Sequence, residues 1–139
     1  MGKIRILVVS EGRSCGKSIL GMLDSSLFSA DVVSFSELDP KAMCSNRPDL
    51  VILDSREMIS STCDALKLIR ICMEVTVVVL LDATDAESNY AVLSDMGADG
   101  FLVKPLRRTL LESYVKAKLR RVVPVPEGHH REFASSFGA

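Results

Sequence analysis

Five short apolar segments alternate with segments of helical periodicity, and this alternation constrains the fold more than any other feature of the chain. The apolar segments are residues 4–9, 32–35, 50–53, 75–81 and 100–103. Several are rich in Val and Ile, and their hydrophobicity is continuous rather than alternating, which is typical of strands buried on both faces of a parallel sheet. The sequence therefore predicts an α/β fold with a doubly wound, five-stranded parallel sheet and helices on both of its faces.

The segments between the strands carry helical signals. Ile19, Leu23 and Leu27 are spaced by four residues and predict one face of the first helix. Residues 39–40 read Asp-Pro, a helix N-cap followed by proline in the first turn, and that helix should stop before the Arg-Pro pair at 47–48. Three more helices, whose apolar faces should lie in the core, are predicted by stripes at Leu66, Ile69 and Met73, at Ala86, Tyr90 and Leu93, and at Leu111, Val115 and Leu119. Each strand is thus followed by a candidate helix, as a parallel sheet requires.

Length and charge set the broad class of protein. The chain has 139 residues, the size of one domain, and its formal net charge of -1 gives no reason to expect nucleic acid or an anionic membrane as a partner. No apolar run approaches the length that spans a bilayer. The 4 cysteines make no CxxC pair and no zinc spacing, which indicates a reduced protein. We expect a cytoplasmic location and no membrane partner.

A stretch after the first predicted strand looks like a phosphate-binding loop. Residues 7–20 read LVVSEGRSCGKSIL and contain the triplet Gly-Lys-Ser at 16–18. The motif requires four residues between its first glycine and the Gly-Lys pair, whereas Gly12 is separated from that pair by only three, and Glu11 stands where the glycine belongs. A small nucleotide-binding or flavin-binding α/β protein therefore remains only a remote alternative, and the 5% aromatic content without Trp disfavours flavin stacking.

Charged residues follow four of the predicted strands. Glu11, Asp54, Asp82 and Lys104 each stand where a strand ends. Ligands of doubly wound sheets bind at the carboxyl ends of the strands, so these four side chains should converge there. One strand-end acid is usually a solvated cap, but clustered like charges cost stability unless a lysine or a cation offsets them. The pattern predicts a functional site.

Two motifs make the chain resemble a known family. RPDLVILD at residues 47–54 and GADGFLVKP at residues 97–105, with an acid after the first strand, are similar to the receiver domain of two-component response regulators. The resemblance runs from about Lys3 to Arg121. It implies the sheet order 2-1-3-4-5 in a flavodoxin-like three-layer sandwich, with residues 1–121 as the receiver domain and 122–139 as a flexible tail or linker stub.

The resemblance also implies a mechanism. Asp54 matches the phosphoacceptor aspartate, which takes a phosphoryl group from a histidine kinase or a phosphotransfer protein. Glu11 and Ser10 match the acidic pair that holds Mg²⁺, with Asp54 and the backbone carbonyl of Arg56 as further ligands. Lys104 matches the lysine that pairs first with the acceptor carboxylate and then with the phosphoryl oxygens. Receiver domains catalyse only their own phosphorylation and dephosphorylation, so no other enzyme activity is expected.

Switch positions and departures complete the comparison with the family pattern. Phe101 matches the aromatic switch, and Pro105 should follow a cis peptide bond. Asp82 stands at the switch position where the family has Ser or Thr, Ser10 replaces the first acid, and residues 55–62 lack the usual Pro and Gly. Mg²⁺ binding should be weakened or displaced. Two readings stay open: atypical phosphorylation of Asp54, and a degenerate domain that binds proteins independently of phosphorylation.

The resemblance implies a second surface. In the family, the fourth helix, fifth strand and fifth helix form a common signalling and dimer face. Acidic and basic residues mark this region; they are Asp85, Glu87, Asp95 and Asp99, and Arg107, Arg108, Lys116, Lys118, Arg120 and Arg121. A two-fold axis would bring each acidic helix near its partner's basic helix. The alternative is that these charges are solvated or neutralise each other within one chain.

Overall fold

A computed structural model describes residues 2–55, 59–84 and 86–120. Its elements, in chain order, are β1 (Ile4–Ser10), α1 (Arg13–Leu20), β2 (Phe28–Ser34), a 3-10 turn (Phe35–Glu37), α2 (Pro40–Asn46), β3 (Leu50–Asp54), α3 (Ile59–Cys72), β4 (Thr76–Leu81), α4 (Ala86–Asp95), β5 (Gly100–Val103) and α5 (Arg108–Arg120). The predicted tail at 122–139 lies outside the described residues. Within them, no helix is both long and apolar enough to cross a bilayer.

The five strands form one parallel sheet in the order β2-β1-β3-β4-β5, which confirms the predicted architecture. All of β3 is buried, and its side chains alternate between two apolar cores. Leu50 and Ile52 pack in the core that α1 and α5 cover, whereas Val51 and Leu53 pack in the core that α2, α3 and α4 cover. The strand runs are continuous in hydrophobicity because both faces of the sheet are covered.

Two predicted boundaries at the edge of the sheet were wrong. The second strand was predicted at 32–35 but runs over Phe28–Ser34. As an edge strand β2 has a less buried face, so it begins with alternating residues rather than a continuous apolar run. The first helix ends at Leu20, before the last two residues of the predicted stripe. A turn built on Asp24, whose carboxylate accepts the Ser26 N–H at 2.9 Å, leads the chain into β2 and leaves Leu27 exposed.

Gly16 has a packing role in this fold. A Cβ atom at this position would lie 2.5 Å from Cγ1 of Val32 and 2.9 Å from Oγ of Ser10. Real Cβ atoms do not approach other heavy atoms so closely, so glycine lets α1 lie directly against β1 and β2. The glycine of the 16–18 triplet is thus accounted for by helix–sheet packing, without a bound phosphate.

A polar cluster stabilises the side of the sheet formed by β4 and β5. Gly97 has a φ of 108°, the left-handed conformation that closes α4. The Arg70 guanidinium, from α3, donates to the carbonyl oxygens of Gly97 and Val75 and forms an ion pair with Asp99 at 2.7 Å. Asp99 also accepts the N–H of Val77 at 2.8 Å. This cluster joins α3 to the starts of β4 and β5, and β5 carries Lys104 at its far end.

Candidate functional site

The register of the sheet brings three of the predicted site residues together. Asp54 ends β3 opposite Leu80 of β4, so Asp82 and Asp54 lie on neighbouring strand ends. The N–H of Lys104 donates to the Leu81 carbonyl oxygen at 2.9 Å, which continues the β4–β5 ladder beyond its last paired residues. The Lys104–Pro105 peptide bond is cis, the isomer that the resemblance implies.

Lys104 lies between two carboxylates of very different exposure. Its ammonium group forms an ion pair with Oδ1 of Asp54 and lies 3.9 Å from Oδ1 of Asp82. The side chains of Asp54, Lys104 and Asp82 are 4%, 23% and 43% exposed. Oδ1 of Asp54 is buried and has no hydrogen bond within the described part of the chain, so Lys104 is what offsets its charge. A buried carboxylate without such a partner is strongly destabilising.

Ser10 and Glu11, the two residues predicted to match the acidic pair, differ in burial. Ser10 is fully buried, and its hydroxyl donates to the Gly12 carbonyl oxygen at 2.6 Å, in the turn before α1. Glu11 is exposed. Arg56, the predicted carbonyl ligand, lies outside the described residues. Over the ranges that the structure describes, no three His, Cys, Asp or Glu side chains are grouped closely enough to hold a metal ion.

The predicted aromatic switch residue contacts α4. The Phe101 ring lies 4.8 Å from the Tyr90 ring, centroid to centroid, with an interplanar angle of 55°. The Phe101 N–H donates to the Tyr114 hydroxyl at 3.0 Å. Tyr90 is not among the residues predicted for the site. Its spacing with Ala86 and Leu93 predicted a core position, whereas its exposed ring packs against Phe101 of β5.

Several charges of the predicted dimer face have partners within the chain. Asp99 pairs with Arg70, and its carbonyl oxygen accepts the Lys118 ammonium at 2.9 Å. Arg108 and Lys116 act electrostatically on Asp24, beside the α1–β2 turn. These contacts therefore engage some of the charged groups of the predicted face within one chain. Asp85 and Arg121 lie outside the described residues.

Among curated proteins, the chain is similar to response regulators, although no protein-family model matches it. It is 28% identical over 121 residues to the response regulator MprA of Mycolicibacterium vanbaalenii, an alignment that covers 87% of this chain and 52% of that protein. It is 31% identical over 117 residues to the DNA-binding response regulator MtrA of Mycolicibacterium paratuberculosis, covering 84% and 52%. The chain therefore spans about half the length of these relatives.

Solved structures extend this comparison to the whole fold. A two-component response regulator from Clostridium difficile superposes with a TM-score of 0.70 at 24% identity, covering 88% of this chain and 100% of that one. A response regulator receiver protein from Burkholderia phymatum is 32% identical with a TM-score of 0.69, covering 84% and 95%. The fold is that of a receiver domain. This chain belongs to the response-regulator receiver domains of two-component signalling.

Proposed function

We propose that this receiver domain accepts a phosphoryl group on Asp54 from a histidine kinase or a phosphotransfer protein, with reduced competence. The observation that carries the proposal is the ion pair between Lys104 and the buried carboxylate of Asp54. A carboxylate oxygen that attacks phosphorus forms an acyl phosphate. A lysine already beside that oxygen is well placed to neutralise the charge of the incoming phosphoryl group.

Mg²⁺ fits the donor chemistry of this edge of the sheet. Glu11 and Asp54 supply carboxylate oxygens, the ligands that Mg²⁺ prefers, and the Arg56 carbonyl is a further proposed ligand. Ser10 supplies a hydroxyl instead of an acid, and its proton is donated to Gly12. We propose that the ion binds more weakly than at a site with two acids. When bound, it neutralises charge on the transferring phosphoryl group.

Asp82 is the proposed reason for reduced competence. A phosphoryl group on Asp54 would face this carboxylate across Lys104 rather than a hydroxyl donor. Two unit charges about 4 Å apart interact by roughly 4 kcal/mol at an effective dielectric near 20. A lost charge-assisted hydrogen bond adds about 1.5–3 kcal/mol. Both effects oppose a stable acyl phosphate, and the exposure of Asp82 reduces the first through solvent screening.

A second candidate function is a phosphorylation-independent protein-binding platform. The observation in its favour is that Lys104 already has two carboxylates near its ammonium group, so the pocket is balanced without a phosphoryl group. In this case the partner would bind the unmodified domain, and Asp54 would serve only to hold Lys104. In both cases we propose a cytoplasmic domain at residues 1–121, with 122–139 as a linker or tail.

The phosphoryl analogue BeF₃⁻ with Mg²⁺ separates these functions. We expect NMR amide shifts at Asp54, Lys104 and Phe101 in the full chain, because the analogue would occupy the acceptor carboxylate and displace the lysine. Asp54→Ala is the control and should abolish the shifts at Lys104 and Phe101. An unchanged wild-type spectrum at saturating BeF₃⁻ would favour the platform.

The homodimer through α4, β5 and α5 stays a proposal with its own test. The exposed charges of this face that make no hydrogen bond or ion pair within the described residues include Glu87 and Asp95 on α4 and Arg107 just before α5. Association through such pairs should weaken as salt rises, because the screening length falls to roughly 3 Å at 1 M. Sedimentation at low and high salt measures this, and a monomer in both conditions at high protein concentration would exclude the dimer.

A further inference from the structure

We infer that Asp82 is a second phosphoacceptor, which shares Lys104 with Asp54. The inference rests on the proposed function, because it uses the same chemistry, an acyl phosphate on an aspartate, and the same lysine. It starts from a contrast between the two carboxylates at the strand ends. Asp54 is the buried one, at 4% exposure, whereas Asp82 is 43% exposed and lies on the solvent side of the lysine.

The position of Asp82 gives it both requirements of an acceptor. It directly follows β4, so its backbone is held by the sheet rather than by a long loop. Its Oδ1 atom lies 3.9 Å from Nζ of Lys104, which is close enough for the ammonium group to pair with an oxygen of a phosphoryl group carried on Asp82. A donor in solution reaches this carboxylate without entering the buried pocket.

The nearby lysine distinguishes Asp82 from other exposed acidic residues. Asp99 is similarly exposed, at 45%, but its Oδ2 atom is engaged by Arg70 and by the N–H of Val77. Asp95, the last residue of α4, is exposed and makes no hydrogen bond or ion pair within the described residues. Asp82 combines accessibility with a nearby cation that is not tightly bound to it, and the two comparison residues each lack one of these features.

The reaction with a small acyl phosphate donor balances without any other reagent. A carboxylate oxygen of Asp82 attacks the phosphorus of acetyl phosphate, and the bond from phosphorus to the acetate oxygen breaks. Acetate leaves with that electron pair, an acyl phosphate forms on Asp82, and nothing is oxidised or reduced. Lys104 then lies between the new phosphoryl group and the Asp54 carboxylate, where it offsets charge on both.

The test maps the label in the full 139-residue chain after incubation with acetyl phosphate and Mg²⁺. Borohydride reduction converts each acyl phosphate to homoserine, and fragment mass spectrometry then locates it at Asp54 or Asp82. The variants are Asp54→Ala, Asp54→Ala with Asp82→Ala, and Asp54→Ala with the matched control Asp95→Ala. Circular dichroism establishes that each variant is folded, and site mapping in the wild type needs no variant.

We expect homoserine at both positions in the wild type. Label should persist in Asp54→Ala and in its Asp95→Ala double variant, and should be lost in the Asp82→Ala double variant. Label on Asp54 alone overturns the inference and leaves the proposed function standing. Label on Asp82 alone supports the inference and overturns Asp54 as acceptor. An unlabelled wild type overturns both, provided that a phosphorylatable receiver domain is labelled in the same buffer.

Discussion

Oδ1 of Asp82 lies 3.9 Å from Nζ of Lys104, on the exposed side of the lysine that holds the buried Asp54. The resemblance to receiver domains implies a hydroxyl at this position, and this chain has a carboxylate there. The lysine is shared between two carboxylates before any phosphoryl group arrives.

Replacing Asp82 should make phosphorylation of Asp54 easier. In Asp82→Thr the opposing charge is removed and a hydroxyl donor is supplied, so we expect the initial rate of Asp54 labelling by acetyl phosphate to rise about tenfold, equivalent to ~1.4 kcal/mol of barrier. Borohydride reduction and fragment mass spectrometry at several times measure homoserine at Asp54, and Asp95→Thr is the control. If Asp82→Thr labels no faster than wild type, Ser10 or the 55–62 segment is the obstacle instead.

Removing Lys104 should destabilise the fold. Lys104→Met leaves the buried Asp54 carboxylate without its cation, and we expect the free energy of unfolding to fall by about 3 kcal/mol. Urea denaturation measures the change. The double variant with Asp54→Asn should recover much of this loss, because no buried charge then remains. Equal losses in the single and double variants would mean that the ion pair is not what stabilises this end of β3.

The packing of α1 can be tested by replacing Gly16, with Gly21 as the control position. Gly16→Ala should lower the free energy of unfolding by about 1–3 kcal/mol, because the new Cβ would collide with Val32 and Ser10. Gly21→Ala should be tolerated, because its φ is -64° and its nearest contact would be 3.5 Å from the Ser18 carbonyl oxygen. Thermal melts compare the two, and equal stability would contradict the close approach of helix and sheet.

The lowered pKa of Asp24 should make the stability of the fold depend on pH. The N–H and then the hydroxyl of Ser26 hold the pKa of this carboxyl below its ordinary value of 3.8, with smaller contributions from Arg108 and Lys116. Because the folded pKa is the lower one, the stabilisation is present above the unfolded-state pKa and is lost as pH falls through the folded value. NMR titration of the Asp24 carboxyl measures the folded-state pKa. Ser26→Ala removes the hydroxyl but keeps the backbone N–H, so it should raise the pKa part of the way, and an unchanged value would show that the hydroxyl does not contribute.

The general arrangement of the fold was readable from the sequence because β3 and β4 are buried on both faces. Their continuous apolar runs predicted the parallel sheet, and the acid or lysine after each run predicted Asp54, Asp82 and Lys104 as neighbours. The edge strand β2 was predicted poorly. Ser29 and Asp31 interrupt its apolar pattern, and nothing local signals that the chain is extended there.

The contacts and exposure of side chains were harder to predict than the places of the residues in the fold. The sequence placed Asp82 at a strand end but gave no sign that it would be far more exposed than Asp54, since exposure depends on how α4 and the strand ends pack. The partners of Asp99 were equally hidden, because Arg70 lies 29 residues away in sequence. Tyr90 was read as a core residue, whereas its ring lies on the surface against Phe101.

The central claim is that Asp54 is a phosphoacceptor served by Lys104, and the stoichiometry of labelling tests it most directly. Wild type and Lys104→Met are incubated with acetyl phosphate and Mg²⁺, and the fraction of chains with homoserine at Asp54 after borohydride reduction is measured. We predict a slow but progressive rise for wild type and a much smaller fraction for Lys104→Met. An Asp54 that stays unlabelled in wild type, in a buffer that labels another receiver domain, would contradict the claim.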